Sequence, residues 1–254
     1  MNELTLQDRV ERLRDGEFLG VPVDGFERGG REQLLFLLMH GLTPTSKVLD
    51  LGCGILRAGY WLIHFLESDH YCGLEPSAER LAVGIDVVLE PGLQTAKRPR
   101  FDTNANFDTG VFGEKFDYFL AYSIWTHASK RQISVMLDEF VRNSTEDAVF
   151  LTTFFPPGRV GPDYNGDEWV GTSHESQTPG CICHRFGWIK EQCHRRGLSV
   201  QLLGRDTTAG QSWLRISRIG RSPRLKDIYL RPSLSLIIRH VFRRIKFAVT
   251  RRKR

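Results

Sequence analysis

The sequence has no internal repeat and no low-complexity tract, and Met1 is not followed by an apolar stretch. Residues 2–14 are polar and charged, which argues against a secretory signal and makes a cytosolic chain the expectation. Cysteine is scarce and odd in number, at five residues, so a disulfide scaffold is excluded and reduced thiols are expected. The apolar runs near the C-terminus are too short and too charged to span a bilayer. What remains is ordinary for a globular protein: 254 residues, 41% hydrophobic and 26% charged, a length that suits one domain with decorations.

The formal net charge of +5 is unevenly spread. From Arg218 to Arg254 there are thirteen Lys/Arg and one acid, Asp227, a net of +12. Residues 1–217 carry 22 basic and 29 acidic residues, a net of −7. The basic balance belongs to the tail, and the chain as a whole does not read as a nucleic-acid binder.

Apolar runs and turn residues alternate along the chain. A polar segment with a Gly/Pro-bearing loop over 16–30 precedes a short apolar helix over 31–40, ended by Gly41 and Pro44. Strands are expected at 47–51, 71–75, 98–103, 116–122 and 148–155, with the Gly52-Cys-Gly54 turn and helices at 55–67, 77–90 and 130–143 between them. A Pro/Gly-rich insertion over 156–183 is longer than a plain connection. A helix over 186–196 and two strands at 198–203 and 212–217 close the pattern. Such alternation predicts a doubly wound α/β sheet with helices on both faces, its last two strands joined as an antiparallel hairpin. The organisation is then an N-terminal segment (1–30), a catalytic domain (31–219) and a basic tail (220–254).

In such a sheet, ligands bind at the carboxyl ends of the strands where strand order switches. Val48-Leu-Asp-Leu-Gly-Cys-Gly54 places Gly52 and Gly54 at the first such end, with Asp50 beside them. Glu75 closes the next strand, where a carboxylate accepts hydrogen bonds from ribose hydroxyls. A dinucleotide site needs a third glycine three residues after the second, and that position is Arg57. Adenosylmethionine has no phosphate and does not need that arrangement, and Asp50 suits its positive charge.

These residues carry a resemblance to class I S-adenosylmethionine-dependent methyltransferases that extends from Gly30 to about Ile219. Val48–Gly54 resembles the family's first motif, Tyr71-Cys-Gly-Leu-Glu-Pro-Ser77 its second, and Phe116-Asp-Tyr-Phe-Leu-Ala-Tyr-Ser123 its fourth-strand motif. The resemblance implies a Rossmann-like seven-stranded sheet, mostly parallel with an antiparallel last strand, and S-adenosylmethionine as cofactor. It implies donor contacts from Asp50, Gly52, Cys53, Gly54, Glu75, Pro76, Tyr122 and Ser123, with Asn104 or Asn106 meeting the adenine. One departure is that many members have a further glycine where this chain has Leu56, so the amino-acid end of the donor is expected to be held differently.

Beyond the fourth strand the chain reads Ser123-Ile-Trp-Thr-His127, which is similar to family members acting on small molecules or sugars. His127 is the candidate general base, since an imidazole titrating near neutrality can remove a hydroxyl proton as the methyl is transferred. The rival role is structural: capping the next helix or bonding a backbone carbonyl. The insertion carries Tyr164, Asp167, Glu168, Trp169, His174 and Glu175, a mixture of rings and carboxylates that suits a substrate lid over a sugar or polyol, or else a solvated loop. Cys181-Ile-Cys-His184 and Cys193-His194 have poor zinc spacing, so no metal is expected and Cys193 is read as packing on the sheet.

Within 232–254, Leu234, Ile237, Ile238, Val241, Phe242, Ile245, Ala248 and Val249 share one helical arc, and Arg239, His240, Arg243, Arg244 and Lys246 lie opposite. A basic amphipathic helix of this kind suits an anionic membrane surface, making the protein peripheral on its cytosolic face. Packing on the acidic body, or on a second subunit, is the alternative. The aromatic and aliphatic arc weighs against nucleic acid. The expected activity is O-methylation of a hydroxylated small molecule or a sugar or glycolipid acceptor. Its rivals are N-methylation of a small molecule, a nicotinamide oxidoreductase, and a non-catalytic membrane adaptor built on the donor-binding fold.

Overall fold

The computed structural model describes residues 4–14, 22–158, 160–207 and 209–220, so the expectations for the tail beyond 220 fall outside the described residues. The strands are β1 (Val48–Leu51), β2 (Tyr71–Leu74), β3 (Arg100–Asp102), β4 (Phe116–Ala121), β5 (Ser144–Phe154), β6 (Leu198–Arg205) and β7 (Ser212–Arg218). They form one sheet in the order β3-β2-β1-β4-β5-β7-β6. β1 pairs in parallel with β2 and β4, β2 with β3, and β4 with β5. β7 alone runs antiparallel to its neighbours, β5 and β6. This is the doubly wound, Rossmann-like seven-stranded sheet with an antiparallel last strand that the sequence predicts.

The inner strands are apolar on both faces because helices cover both. Leu49, Leu51, Phe119, Ala121, Phe150 and Leu214 point toward α6 (Lys130–Asn143) and α7 (Phe186–Arg195), meeting Ile133, Met136, Leu137, Phe140, Ile189 and Cys193. Val48, Tyr118, Leu120, Val149, Leu151 and Trp213 point the other way, toward Leu37 of α2 (Phe26–Met39) and Leu62 and Ile63 of α3 (Gly59–Phe65). At the centre, Phe119 meets Phe140 edge-on at 5.1 Å and lies 5.8 Å from Phe150. α6 starts where Ser129 and Gln132 cap each other reciprocally, which satisfies donors that a helix start otherwise leaves bare.

Several boundaries differ from the sequence reading. α2 begins at Phe26 rather than residue 31, so residues 26–30 are helix, not loop. Gly29 and Gly30 lie inside it because the next layer comes close: a Cβ on Gly30 would sit 2.1 Å from the Arg57 carbonyl oxygen. The polar N-terminal segment holds a further helix, α1 (Leu6–Glu11), closed by a Thr5/Asp8 capping box and burying Leu6 and Val10. α3 starts at Gly59, four residues later than read, because Leu56 at φ +62° cannot continue a right-handed helix. The helix read over 77–90 divides into α4 (Ala78–Val83) and a π-helical turn at Gly84–Val88. A short α5 (Leu93–Lys97) precedes the edge strand β3. β5 begins at Ser144, four residues before its apolar run, because backbone pairing with β4 continues past an irregularity over polar positions.

Candidate active site

The order of the sheet places β1 between β2 and β4, so connections leave β1 and β4 toward opposite faces and a crevice opens at their carboxyl ends. A cavity of about 500 Å³ occupies it, within the range of small-molecule sites. Gly52 takes φ +71° at its floor, and a Cβ there would come within 2.1 Å of Ile124 Cδ1. Only glycine lets the turn after β1 pass beneath the turn after β4.

Glu75 is buried and already aimed. One carboxylate oxygen accepts the Gly54 backbone N–H at 3.0 Å, and the other accepts that of Ser77 at 3.0 Å. The glycine turn and the end of β2 are therefore bound to each other through this side chain. Asp50 is buried at the other end of the turn and accepts the Tyr71 hydroxyl proton at 2.9 Å. Burial pushes its carboxyl up to about 7, with Glu75 acting in the same direction, while Tyr71 and the Arg57 guanidinium oppose the shift. Cys53, Pro76, Tyr122 and Ser123 line the same cavity, as do Asp50, Gly52, Gly54 and Glu75.

Asn104 and Asn106 do not line it. Asn104 bonds its own turn, donating to Asp102 at 2.6 Å and to the Asp108 carbonyl at 3.0 Å, and accepting from Asp108 N–H at 3.0 Å. Asn106 is exposed and accepts from the same N–H at 3.4 Å. The side chains that face the cavity after β3 are Ala105 and Phe107, because local side-chain-to-backbone bonds draw both asparagines away.

After β4 the chain turns through Ser123 at φ +62°. Its N–H donates to Thr153 Oγ1 at 2.8 Å, and its hydroxyl accepts from Gln211 Nε2 at 2.9 Å. Thr153 in turn donates to Gln211 Oε1, so β4, β5 and the β6–β7 connection meet in one polar cluster beneath the cavity. Neither Thr153 nor Gln211 is identified by the sequence reading, because no local pattern marks a bond spanning 58 residues.

His127 lines the cavity and touches the insertion. Its Nδ1 lies 2.6 Å from the Val170 carbonyl, while Val170 N–H donates to the His127 carbonyl at 3.0 Å. The ring stacks on Trp169, with centroids 5.6 Å apart at 22°. Burial lowers the imidazole pKa below its ordinary value, an effect the Val170 and Gly180 carbonyls partly offset. A neutral ring donating from Nδ1 has its lone pair on Nε2.

Within the insertion, Trp169, His174 and Glu175 line the cavity, together with Gly171, Thr172, Ser173, Pro179 and Gly180. Tyr164, Asp167 and Glu168 do not; Tyr164 donates to the Glu168 carbonyl at 3.1 Å. The segment is fastened by Lys130 to Asp163 at 2.8 Å, Gln132 to Glu175 at 2.7 Å and Ile182 N–H to the Thr126 carbonyl at 2.8 Å. Cys193 is buried on α7 and Cys183 is buried at the end of the insertion, bridged to Asp163, while His184 Nε2 bonds the Ala128 carbonyl at 3.0 Å. No helix among the described residues is long and apolar enough to cross a membrane.

No protein-family model matches the chain, and no curated protein matches it in sequence. Solved structures do match. Magnesium protoporphyrin IX methyltransferase from Synechocystis PCC 6803 with bound S-adenosylhomocysteine superposes with a TM-score of 0.56 at 18% identity, covering 83% of this chain and 93% of that one. A glycopeptide N-methyltransferase complexed with sinefungin gives 0.57 at 13% identity, covering 76% and 87%. An O-methyltransferase from neocarzinostatin biosynthesis, in complex with S-adenosylhomocysteine and 1,4-dihydroxy-2-naphthoic acid, gives 0.52 at 12% identity, covering 77% and 54%. The chain thus has the Rossmann-like fold of the class I S-adenosylmethionine-dependent methyltransferases.

Proposed function

We propose that the protein is an S-adenosylmethionine-dependent methyltransferase acting on a hydroxyl of a small molecule, with sugars or glycolipids as the favoured acceptor class. The observation that carries this reading is the arrangement of Asp50, the Gly52–Gly54 turn and Glu75 along one wall of the switch-point cavity. Glu75 suits ribose hydroxyls, the apolar Leu74, Pro76, Ala105 and Phe107 suit a purine, and Asp50 suits a cationic group. A dinucleotide fits poorly, because Leu56 and Arg57 stand where a diphosphate needs open backbone at a helix start.

The bound donor supplies a methyl group made electrophilic by its sulfonium. The protein supplies position and a proton acceptor. The Ser123–Thr153–Gln211 cluster fixes the turn after β4 that presents His127. His127 Nε2 takes the acceptor's proton, and the Val170 carbonyl holds the ring in that tautomer. Residues 156–183 act as the lid, with Trp169 and Glu175 beside the acceptor and bulk water kept from the reacting atoms.

Titration calorimetry with adenosylmethionine, adenosylhomocysteine and NAD tests the donor reading. Micromolar binding of the first two and none of NAD is the expected result; the reverse would replace it with a nicotinamide enzyme. Turnover on hydroxylated acceptors, against amines of the same shape, separates O- from N-methylation. Donor binding without turnover on either would favour the adaptor role.

A further inference from the structure

Glu175 lines the cavity from the tip of a loop of the insertion. The legs of that loop are joined by Gly171 N–H to the Thr178 carbonyl at 2.7 Å and by Ser173 N–H to the Ser176 carbonyl at 2.8 Å. Its root lies against His127, whose Nδ1 is 2.6 Å from the Val170 carbonyl. Glu175 therefore stands at the end of the loop away from the proposed base. Its side chain is tied to the body of the protein by Gln132, which is buried in the first turn of α6. Gln132 Oε1 accepts the Ser129 N–H at 2.9 Å, and that bond fixes which way the amide faces. Nε2 is thereby aimed at Glu175 and donates to its Oε1 at 2.7 Å.

The other oxygen, Oε2, has no hydrogen-bond partner among the described residues; His174 Nε2 is 4.0 Å away. A carboxylate held by one oxygen at a cavity wall leaves the other to a ligand, and it can only accept. The lining beside it is hydroxyl and indole, from Thr172, Ser173 and Trp169. The Arg80 guanidinium already reaches this loop, 3.4 Å from the Thr172 carbonyl. With His174 beside the carboxylate and Arg80 on the same loop, a neutral hydroxyl fits there better than a further cation. We infer that Glu175 is a specificity residue whose free oxygen accepts a hydrogen bond from a second hydroxyl of the acceptor, remote from the one methylated. Gln132 is its positioning residue. The acceptor is then a ring polyol rather than a lone alcohol. This inference rests on the hydroxyl-acceptor reading above and deepens it.

The test is saturation-transfer NMR on the full chain loaded with adenosylhomocysteine. The probes are methyl glucoside, cyclohexanol, a cyclohexanediol with its hydroxyls across the ring, and the aminocyclohexanol of the same shape. The parent should bind the diol and the glucoside about tenfold or more tightly than cyclohexanol, the span of one charge-assisted hydrogen bond. Glu175→Ala should erase that preference and leave cyclohexanol unchanged, and Glu175→Gln, which keeps an acceptor, should restore part of it. Gln132→Glu keeps the oxygen that caps α6 but sets a like charge against Glu175, so it should lose the preference with the cap intact. Equal weakening of all four probes by Glu175→Ala would overturn the inference in favour of a structural tie between loop and helix. A parent that prefers the aminocyclohexanol would overturn it in favour of a cation site. A loaded parent that binds cyclohexanol as well as the diol, or binds no probe, overturns the polyol assignment and spares the donor reading. A parent that does not take up adenosylhomocysteine overturns the donor reading itself.

Discussion

Asp50→Asn is predicted to make the ligand-free protein more stable and the donor-bound protein weaker. The carboxyl is buried with the Tyr71 hydroxyl as its hydrogen-bond partner, and its pKa rises from 3.8 to about 7 in the folded chain. Folding therefore favours the protonated acid. The stability this gives is fully present below about pH 4, declines as the unfolded chain ionises and the folded chain does not, and is lost once pH passes the folded value near 7. Some three pH units at about 1.36 kcal/mol each give a span on the order of 4 kcal/mol. Asparagine keeps an acceptor for Tyr71 without a charge, so urea unfolding at pH 8 should show the variant more stable by up to about 4 kcal/mol. At pH 4 the two proteins should be nearly equal. Saturating adenosylhomocysteine should reverse the order at pH 8, because its ammonium compensates the parent's carboxylate and not the amide. A variant less stable than the parent at pH 8, or a difference that does not change with pH, would refute the reasoning.

Glu75→Ala should weaken adenosylmethionine by about 1.5–3 kcal/mol in calorimetry, the loss of charge-assisted bonds to the ribose; unchanged affinity in a folded variant removes Glu75 from the donor site. His127→Ala should lower turnover on the order of 10²–10⁴-fold with donor affinity near normal. In the parent, the acid limb of the rate profile should fall below the ordinary imidazole value of 6.5, since burial favours the neutral ring; an acid limb above it would contradict the assignment. Phe119→Ala, at the centre of the aromatic cluster, should cost about 3–5 kcal/mol in urea unfolding. Replacing Ile237, Val241 and Ile245 with Ser in the full chain should abolish the salt-resistant part of binding to anionic vesicles while its charge stays unchanged. A parent that ignores such vesicles would discard the membrane reading of the tail.

The sheet is legible in the sequence because its strands are nearly continuous apolar runs of the kind a doubly covered sheet demands, and Gly52, Asp50 and Glu75 sit at the ends of such runs. Where the signal is not local, the reading misses. Gly29 and Gly30 look like a loop and are helix, because what requires them is the Arg57 carbonyl, distant in sequence. Asn104 and Asn106 look available to a ligand, but short polar side chains on a turn bond their own backbone first. Arg57 enters the sequence argument only as an obstacle to a diphosphate, and its place over the Tyr122 ring depends on Asp206 from the far end of the sheet. Thr153 and Gln211 are legible only once β5 and the β6–β7 connection are side by side.

Two non-glycine residues with left-handed backbone line the cavity, Phe107 at φ +60° and Ser123 at +62°, and a third, Leu56 at +62°, lies between the lining residues Ile55 and Arg57. Each such conformation costs roughly 1–2 kcal/mol for a residue with a side chain. Leu56 and Phe107 are buried, Leu56 fully, and Ser123 is bonded to Thr153 and Gln211, so packing and hydrogen bonds hold all three against relaxation. The walls on these sides thus keep their shape before any ligand arrives. Recognition there should be lock-and-key rather than moulding: donor association should have a small entropic penalty, and amide exchange in the turns at 52–57 and 122–127 should be slow in the free protein and change little on saturation. Protection gained on binding should concentrate instead in the insertion, where the described residues among 156–183 include few buried side chains and many exposed ones.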